Sequence, residues 1–279
     1  MLLVRRNEED GCQVVEAAVT GVHFPSVRAR DNPRRCGVSA NTDQQHGDTA
    51  DKKPLLNPDP STIHRIDSMK LYYFPGACSL ADHIVLEWTG IEHKAVRMSR
   101  DTIKSKEYLA LNPNGTVPLL VDGDFTLTEN AAILGYIAEQ RPEAALLGDG
   151  TTRGRAEVTR WLAYLNSDVH MAFKPIFFPS RFLPDETMAE ALAEQARLQI
   201  TIHLQRLDEQ LKGKDWLTGQ RSVADPYLFV VLRWSIGKGI ALEGFKNLSR
   251  FLERMYADPG VRAAVANEED AFEQEPEAA

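Results

Sequence analysis

The sequence predicts an α/β domain followed by an all-α domain, with an N-terminal extension outside both. Three observations predict it. From Met69 a strand, a helix and a strand are followed by two further short strands and a helix within about 80 residues, the content of one small mixed sheet flanked by helices. From Thr151 onward apolar residues recur only at helical spacing. Before Met69 the chain holds many turn-forming residues and no sustained periodicity. The expected division is therefore a disordered extension over 1–68, the α/β domain over 69–149, the helical domain over 151–266 and an acidic, solvated tail over 267–279.

Within the first domain, Leu71 and Tyr73 with the flanking Tyr72 and Phe74 suit a buried strand that Pro75-Gly76 stops. Leu80, Ile84, Val85 and Trp88 then repeat at helical spacing until Gly90. Residues 91–98 read as the next strand, which implies a parallel pair with a right-handed crossover. A turn and short helix run through Lys104, Tyr108 and Leu111. Residues 112–115 form a turn, and a strand over 116–121 must keep Pro118 at its start or on an edge, because proline donates no ladder hydrogen bond. A cis Val117-Pro118 bond is an open alternative there. Asp122-Gly123 signals a hairpin into Phe125 to Leu127, and Thr128 or Asn130 caps the helix that ends before Pro142.

In the second domain Val158, Trp161, Leu162, Leu165 and Val169 form one apolar stripe, with His170 one residue beyond its last member. Leu192, Ala196, Ile200, Leu207 and Leu211 mark a long helix. Ser222 and Asp225 form a Ser-x-x-Asp capping arrangement before an apolar helix, and are read as structural. Two further helices are expected near Lys246 to Tyr256 and Pro259 to Ala266.

Composition narrows the functional classes. A chain 43% hydrophobic and 26% charged is that of a soluble globular protein, and a formal net charge of -8 argues against nucleic acid and anionic membranes as partners. No apolar run approaches the roughly 20 residues of a membrane helix, and Arg5 and Arg6 interrupt the place of a secretion signal, so a cytoplasmic protein is expected. The abrupt change at Met69 suggests it as the natural start, with a regulatory tail or a targeting segment as alternatives. Cys12, Cys36 and Cys78 include no close pair, which fits neither a disulfide framework nor a metal motif; no metal is expected, and Cys12 and Cys36 are expected to carry no chemistry.

Cys78 falls where strand becomes helix. Unpaired N–H groups and the positive end of the helix dipole favour an anion there, so its pKa is expected below the free value of about 8.5. The alternative is an inert, half-buried small residue.

From Met69 to about residue 266 the chain resembles the cytosolic glutathione transferases, and the stretch YYFPGACSLADHI is similar to the bacterial beta class, whose N-terminal domain is thioredoxin-like. The resemblance implies glutathione as co-substrate, a small hydrophobic electrophile or mixed disulfide as partner, and a homodimer. It implies that Val117, before Pro118, offers its backbone to the cysteinyl part of glutathione as an added strand, and that Glu129 and Asn130 hold the γ-glutamyl group. Glu129 alone would read equally as a charge stabilising a helix N-terminus. The resemblance places His170 near the cysteine and the glutathione sulfur, against the plainer reading of a satisfied interface histidine. Members commonly carry an asparagine about one turn before this histidine and a lysine after it. This chain has Ala163 and Met171, leaving Asn166 and Ser167 to serve instead, and Lys104 as the cation for the glycyl carboxylate.

A cysteine can form a mixed disulfide where a hydroxyl could only stabilise glutathione's thiolate, so disulfide exchange is expected to exceed conjugation. The competing class is a non-catalytic carrier of apolar ligands or an interaction module, with Phe173, Phe177, Phe178 and Phe182 lining a pocket.

Overall fold

The computed structural model describes residues 68–273, all within one compact unit. The expectations for residues 1–67, including Cys12 and Cys36, lie outside the described residues. A four-stranded sheet in the order β2-β1-β3-β4 is built from β1 (Met69–Tyr73), β2 (His93–Arg97), β3 (Leu119–Asp122) and β4 (Phe125–Thr128). β1 and β2 run parallel with Leu71 opposite Ala95, β3 lies antiparallel to β1 with Leu71 opposite Leu120, and β4 closes the hairpin with Leu127 opposite Leu120. β3 starts after Pro118, whose bond to Val117 is cis. The missing proline donor therefore falls just outside the ladder.

Helix α1 (Ser79–Thr89) follows the Pro75-Gly76 break and ends on Gly90, whose φ of 62° is the left-handed cap that a residue with a Cβ adopts at a cost. It fully buries Leu80, Ile84, Val85 and Leu86, each contributing about 1.5–3 kcal/mol of burial. This helix is the pivot of the molecule. It packs on α3 (Asn130–Glu139) from its own layer, and on α7 (Ala224–Gly237) and α9 (Pro259–Glu273) from the helical layer. Short α2 (Lys106–Leu111) is capped by the Ser105 hydroxyl, which accepts from Tyr108 N–H at 3.2 Å.

The expected stripe of α4 (Thr152–Tyr164) is buried along its length, from Val158 to Val169. Between α4 and α5 (His170–Phe177) the chain makes a π-helical turn over Leu165–Val169. Helices α6 (Ala189–Gln210) and α8 (Lys246–Ala257) complete the second layer. One continuous apolar cluster joins the layers, running from Leu71 and Ile133 to Leu162, Phe229 and Val261. One compact unit and one continuous core span the boundary expected near residue 150.

Three expectations are corrected. The α3 cap is neither Thr128 nor Asn130: Glu129 occupies the position, with no side-chain cap bond and a φ of 71°. Ser222 donates its hydroxyl to Asp225 rather than capping a helix N–H, while Asp225 accepts from the Ser222 and Leu217 N–H groups at 2.7 and 2.8 Å. The tail drawn from residue 267 is not wholly solvated, because α9 continues to Glu273 and Glu268 is only 3% exposed. Its carboxylate accepts from Gly76 N–H at 3.0 Å, in the loop before Cys78.

Candidate active site

Cys78 sits at the N-cap of α1, where the sequence places it. The loop before it is held from the second layer: Trp234 Nε1 donates to the Gly76 carbonyl at 2.8 Å and Glu268 accepts from its N–H. Two opposed effects act on the sulfur. The N–H groups of Cys78 and Ser79 favour the thiolate, as the helix start predicts. Burial opposes them, since Cys78 is 8% exposed, and the carboxyls of Asp82 and Glu129 add to the opposition. The result is a thiol pushed up to about 12, so the expected low pKa is overturned by desolvation.

Asp82 is the buried residue beneath the thiol. Burial holds its carboxyl well above the usual range. With its amide nitrogen turned inward, Asn130 donates to Asp82 Oδ2 at 2.7 Å and to the Cys78 carbonyl at 3.1 Å. Asn130 therefore ties the start of α3 to the start of α1, and its side chain is buried rather than open to a ligand. Glu129, one residue earlier, is exposed, in a left-handed backbone conformation that a non-glycine residue rarely adopts. Val117 is half-buried and immediately precedes β3; its N–H and C=O have no partner among the described residues.

His170 opens α5 just after the π-helical turn. Its Nδ1 lies 2.7 Å from the Tyr227 hydroxyl, and that hydroxyl donates to Asn166 Oδ1 at 3.0 Å. A hydroxyl whose proton is given to Asn166 must accept from the imidazole, so Nδ1 carries the hydrogen and Nε2 is bare. Burial, with Lys174 second, pulls the His170 pKa down to about 4, which keeps the ring neutral at pH 7. The value thus departs from the near-neutral pKa of a free histidine. The ring stands edge-on to Trp234, at 4.8 Å between centroids. The pKa of Tyr227 is raised by burial first and then by Cys78 and Asp82, so the phenol borders both halves of the site.

Other candidates fall elsewhere. Ser167 is exposed and gives its hydroxyl to the Ala163 carbonyl and to Asp168. Lys104 is exposed on a separate groove of about 340 Å³, shared with Arg100, Phe177 and Phe178. Of the four phenylalanines expected to line a pocket, Phe173 is core, and Phe178 and Phe182 are exposed. A hollow of about 510 Å³ between α7 and α8 contains none of the candidate residues.

Tyr227, Asp82, Trp234 and Glu268 were not singled out from sequence. Tyr227 lies 57 residues from His170, in a helix whose apolar composition reads as core. No local spacing announces such a pairing.

The sequence profile described as "Glutathione S-transferase, N-terminal domain" matches residues 67–139, and "Glutathione S-transferase, C-terminal domain" matches residues 166–259. Glutathione S-transferase GST-4.5 of Xanthomonas campestris is 47% identical over 201 residues, covering 72% of this chain and 98% of the relative. A sphingomonad glutathione S-transferase solved in complex with glutathione is 36% identical with a TM-score of 0.65, covering 72% and 98%. The bacterial beta class enzyme of Sphingomonas chungbukensis is 40% identical with a TM-score of 0.64, covering 71% and 98%.

Proposed function

Because the chain belongs to the glutathione S-transferase family, we propose that it is a beta-class enzyme conjugating glutathione to small apolar electrophiles, with glutathione's own sulfur as nucleophile. Cys78 serves as a neutral hydrogen-bond donor to that sulfur. The observation that carries this assignment is the burial of Cys78, whose thiol is pushed up to about 12. A glutathione thiol near the ordinary value of about 8.5 is easier to ionise by roughly 5 kcal/mol. The proton therefore leaves glutathione first.

Glutathione's S–H hydrogen-bonds to the bare Nε2 of His170, which takes the proton as the sulfur lone pair forms a bond to the electrophilic carbon. The leaving group departs with its electron pair, or an acceptor double bond takes the pair. His170 then releases the proton to solvent. Cys78 stays protonated throughout and donates its S–H to the sulfur while that sulfur is most negative. Glu129 receives the α-ammonium and Val117 pairs with the cysteinyl peptide, whereas Lys104, in its separate groove with Arg100, has no part. Asn130 acts by holding Asp82 and the Cys78 carbonyl in place. Ser167, engaged with Ala163 and Asp168, has no part. A homodimer working in the cytoplasm follows from the family likeness.

A second activity, disulfide exchange, is favoured by one specific feature: a sulfur stands where a hydroxyl would suffice as donor. There Cys78 would attack the glutathione sulfur of a mixed disulfide, lose its proton to His170 and release the other thiol. A second glutathione would then free oxidised glutathione and restore Cys78. Two variants separate the activities. Cys78→Ser keeps a donor and is expected to conjugate within about threefold of wild type, while Cys78→Ala is expected to lose about tenfold, the value of one hydrogen bond. Equal, near-complete loss of conjugation in both variants would make Cys78 the nucleophile and reject its donor role.

A further inference from the structure

Where α1 meets β1 and the start of β2, three side chains converge that the glutathione chemistry does not use. His83 and Glu87 are four residues apart on α1 and so share one face of the helix. His93 opens β2 after the Gly90 turn has reversed the chain. One potential ligand atom from each lies within 4.8 Å of the other two. The His83 and His93 rings meet edge to face at 5.4 Å between centroids.

We propose, against the expectation of no metal, that His83, Glu87 and His93 form a binding site for a zinc-like divalent transition-metal ion. His83 is 0% exposed, and neither of its ring nitrogens makes a hydrogen bond. Two buried, unpaired polar atoms cost about 1–3 kcal/mol each, so the ring is placed for something that its neighbours do not supply. Its Nδ1 lies 3.7 Å from Glu268 Oε1, beyond hydrogen-bond reach but close enough to that carboxylate to favour the Nδ1–H tautomer and leave Nε2 for an ion. His93 is arranged in the same sense. Its Nδ1 is 2.9 Å from the Ile91 carbonyl, an acceptor only, so Nδ1 carries the hydrogen and Nε2 is free. His93 thus has the outer partner that metal-bound histidines use, a backbone carbonyl, while His83 has only the Glu268 carboxylate at 3.7 Å.

The donor set selects the ion. Two imidazoles and one carboxylate suit zinc and its neighbours rather than magnesium or calcium, which take oxygen ligands. Three protein ligands leave a fourth position, and Glu87 and His93 are half-buried, so water reaches the site from their side. Zinc bonds of about 2.0–2.1 Å bring tetrahedral donors to about 3.4 Å from one another, so the three ligand atoms, within 4.8 Å here, draw closer on binding. The Glu87 and Glu268 carboxylates together balance a doubly charged ion.

The test uses the full chain and the metals themselves. Calorimetric titration with Zn²⁺ should give one equivalent, and Co²⁺ should give the visible absorption of a four-coordinate ion without a thiolate-to-cobalt charge-transfer band. Glu87→Gln and His93→Gln change half-exposed side chains, with folding checked by circular dichroism, and each should weaken Zn²⁺ binding by about 100-fold. If one variant fails to fold, the other decides. No stoichiometric binding, undiminished affinity in a folded variant, or a thiolate charge-transfer band would each overturn the site.

Discussion

In the proposed mechanism His170 acts as base because of which proton it lacks. The relay from Nδ1–H through the Tyr227 hydroxyl to Asn166 fixes the tautomer, and burial fixes the charge. A histidine whose folded pKa is lowered loses its neutral form only as pH falls through that value. The acidic limb of kcat/KM for conjugation is therefore expected near pH 4 rather than near the ordinary 6.5. Stability follows the same sign. The ring costs nothing above the unfolded value of about 6.5, and the fold loses stability as pH drops from there toward 4, where the unfolded chain binds a proton that the native ring refuses. Replacing Tyr227 by Phe frees Nδ1, and we expect kcat to fall about tenfold with the acidic limb displaced; an unmoved limb would mean that the phenol does not position the base. Glu129 illustrates the opposite trade. Its φ of 71° is strained for a side chain, so Glu129→Gly is expected to raise stability by about 1 kcal/mol while raising KM for glutathione. Thermal melts and initial rates read the two effects separately.

Among the elements, α7 shows how one buried group fastens a helix. Asp225 is fully buried and receives the Ser222 and Leu217 N–H groups and the Ser222 hydroxyl. Asp225→Ala leaves two buried N–H groups without partners, and we expect about 2–4 kcal/mol of destabilisation, read as a lower denaturant midpoint at unchanged slope. Elements of this kind were legible in the sequence because their signals are local. Pro75-Gly76 and Gly90 bound α1, Pro118 marks the start of β3, and the stripe from Val158 to Val169 gives the buried face. What was illegible depends on contacts between elements. The partner of His170 comes from α7, the carboxylate on Gly76 comes from α9, and the capping of α3 passes to a residue whose backbone no propensity predicts. The proximity of His83, Glu87 and His93 was illegible for the same reason, since His93 joins the other two only after the chain turns into β2.

At the scale of the whole molecule, the two layers share one core through α1, and that sharing decides the chemistry of Cys78. A helix N-terminus by itself would lower the thiol. Packing α3, α7 and α9 around α1 removes water from it, and desolvation with Asp82 outweighs the dipole. A pKa raised in the folded state also means that native stability is lost at alkaline pH, from about 9 upward, as the unfolded thiol ionises and the buried one does not. The most direct test is an ultraviolet titration of thiolate absorbance in the folded protein, taken as the difference between wild type and Cys78→Ser. A difference that stays flat through neutral pH and rises only above about pH 10 is the predicted result. An ionisation step below pH 8 would contradict it, and would return Cys78 to the role of nucleophile.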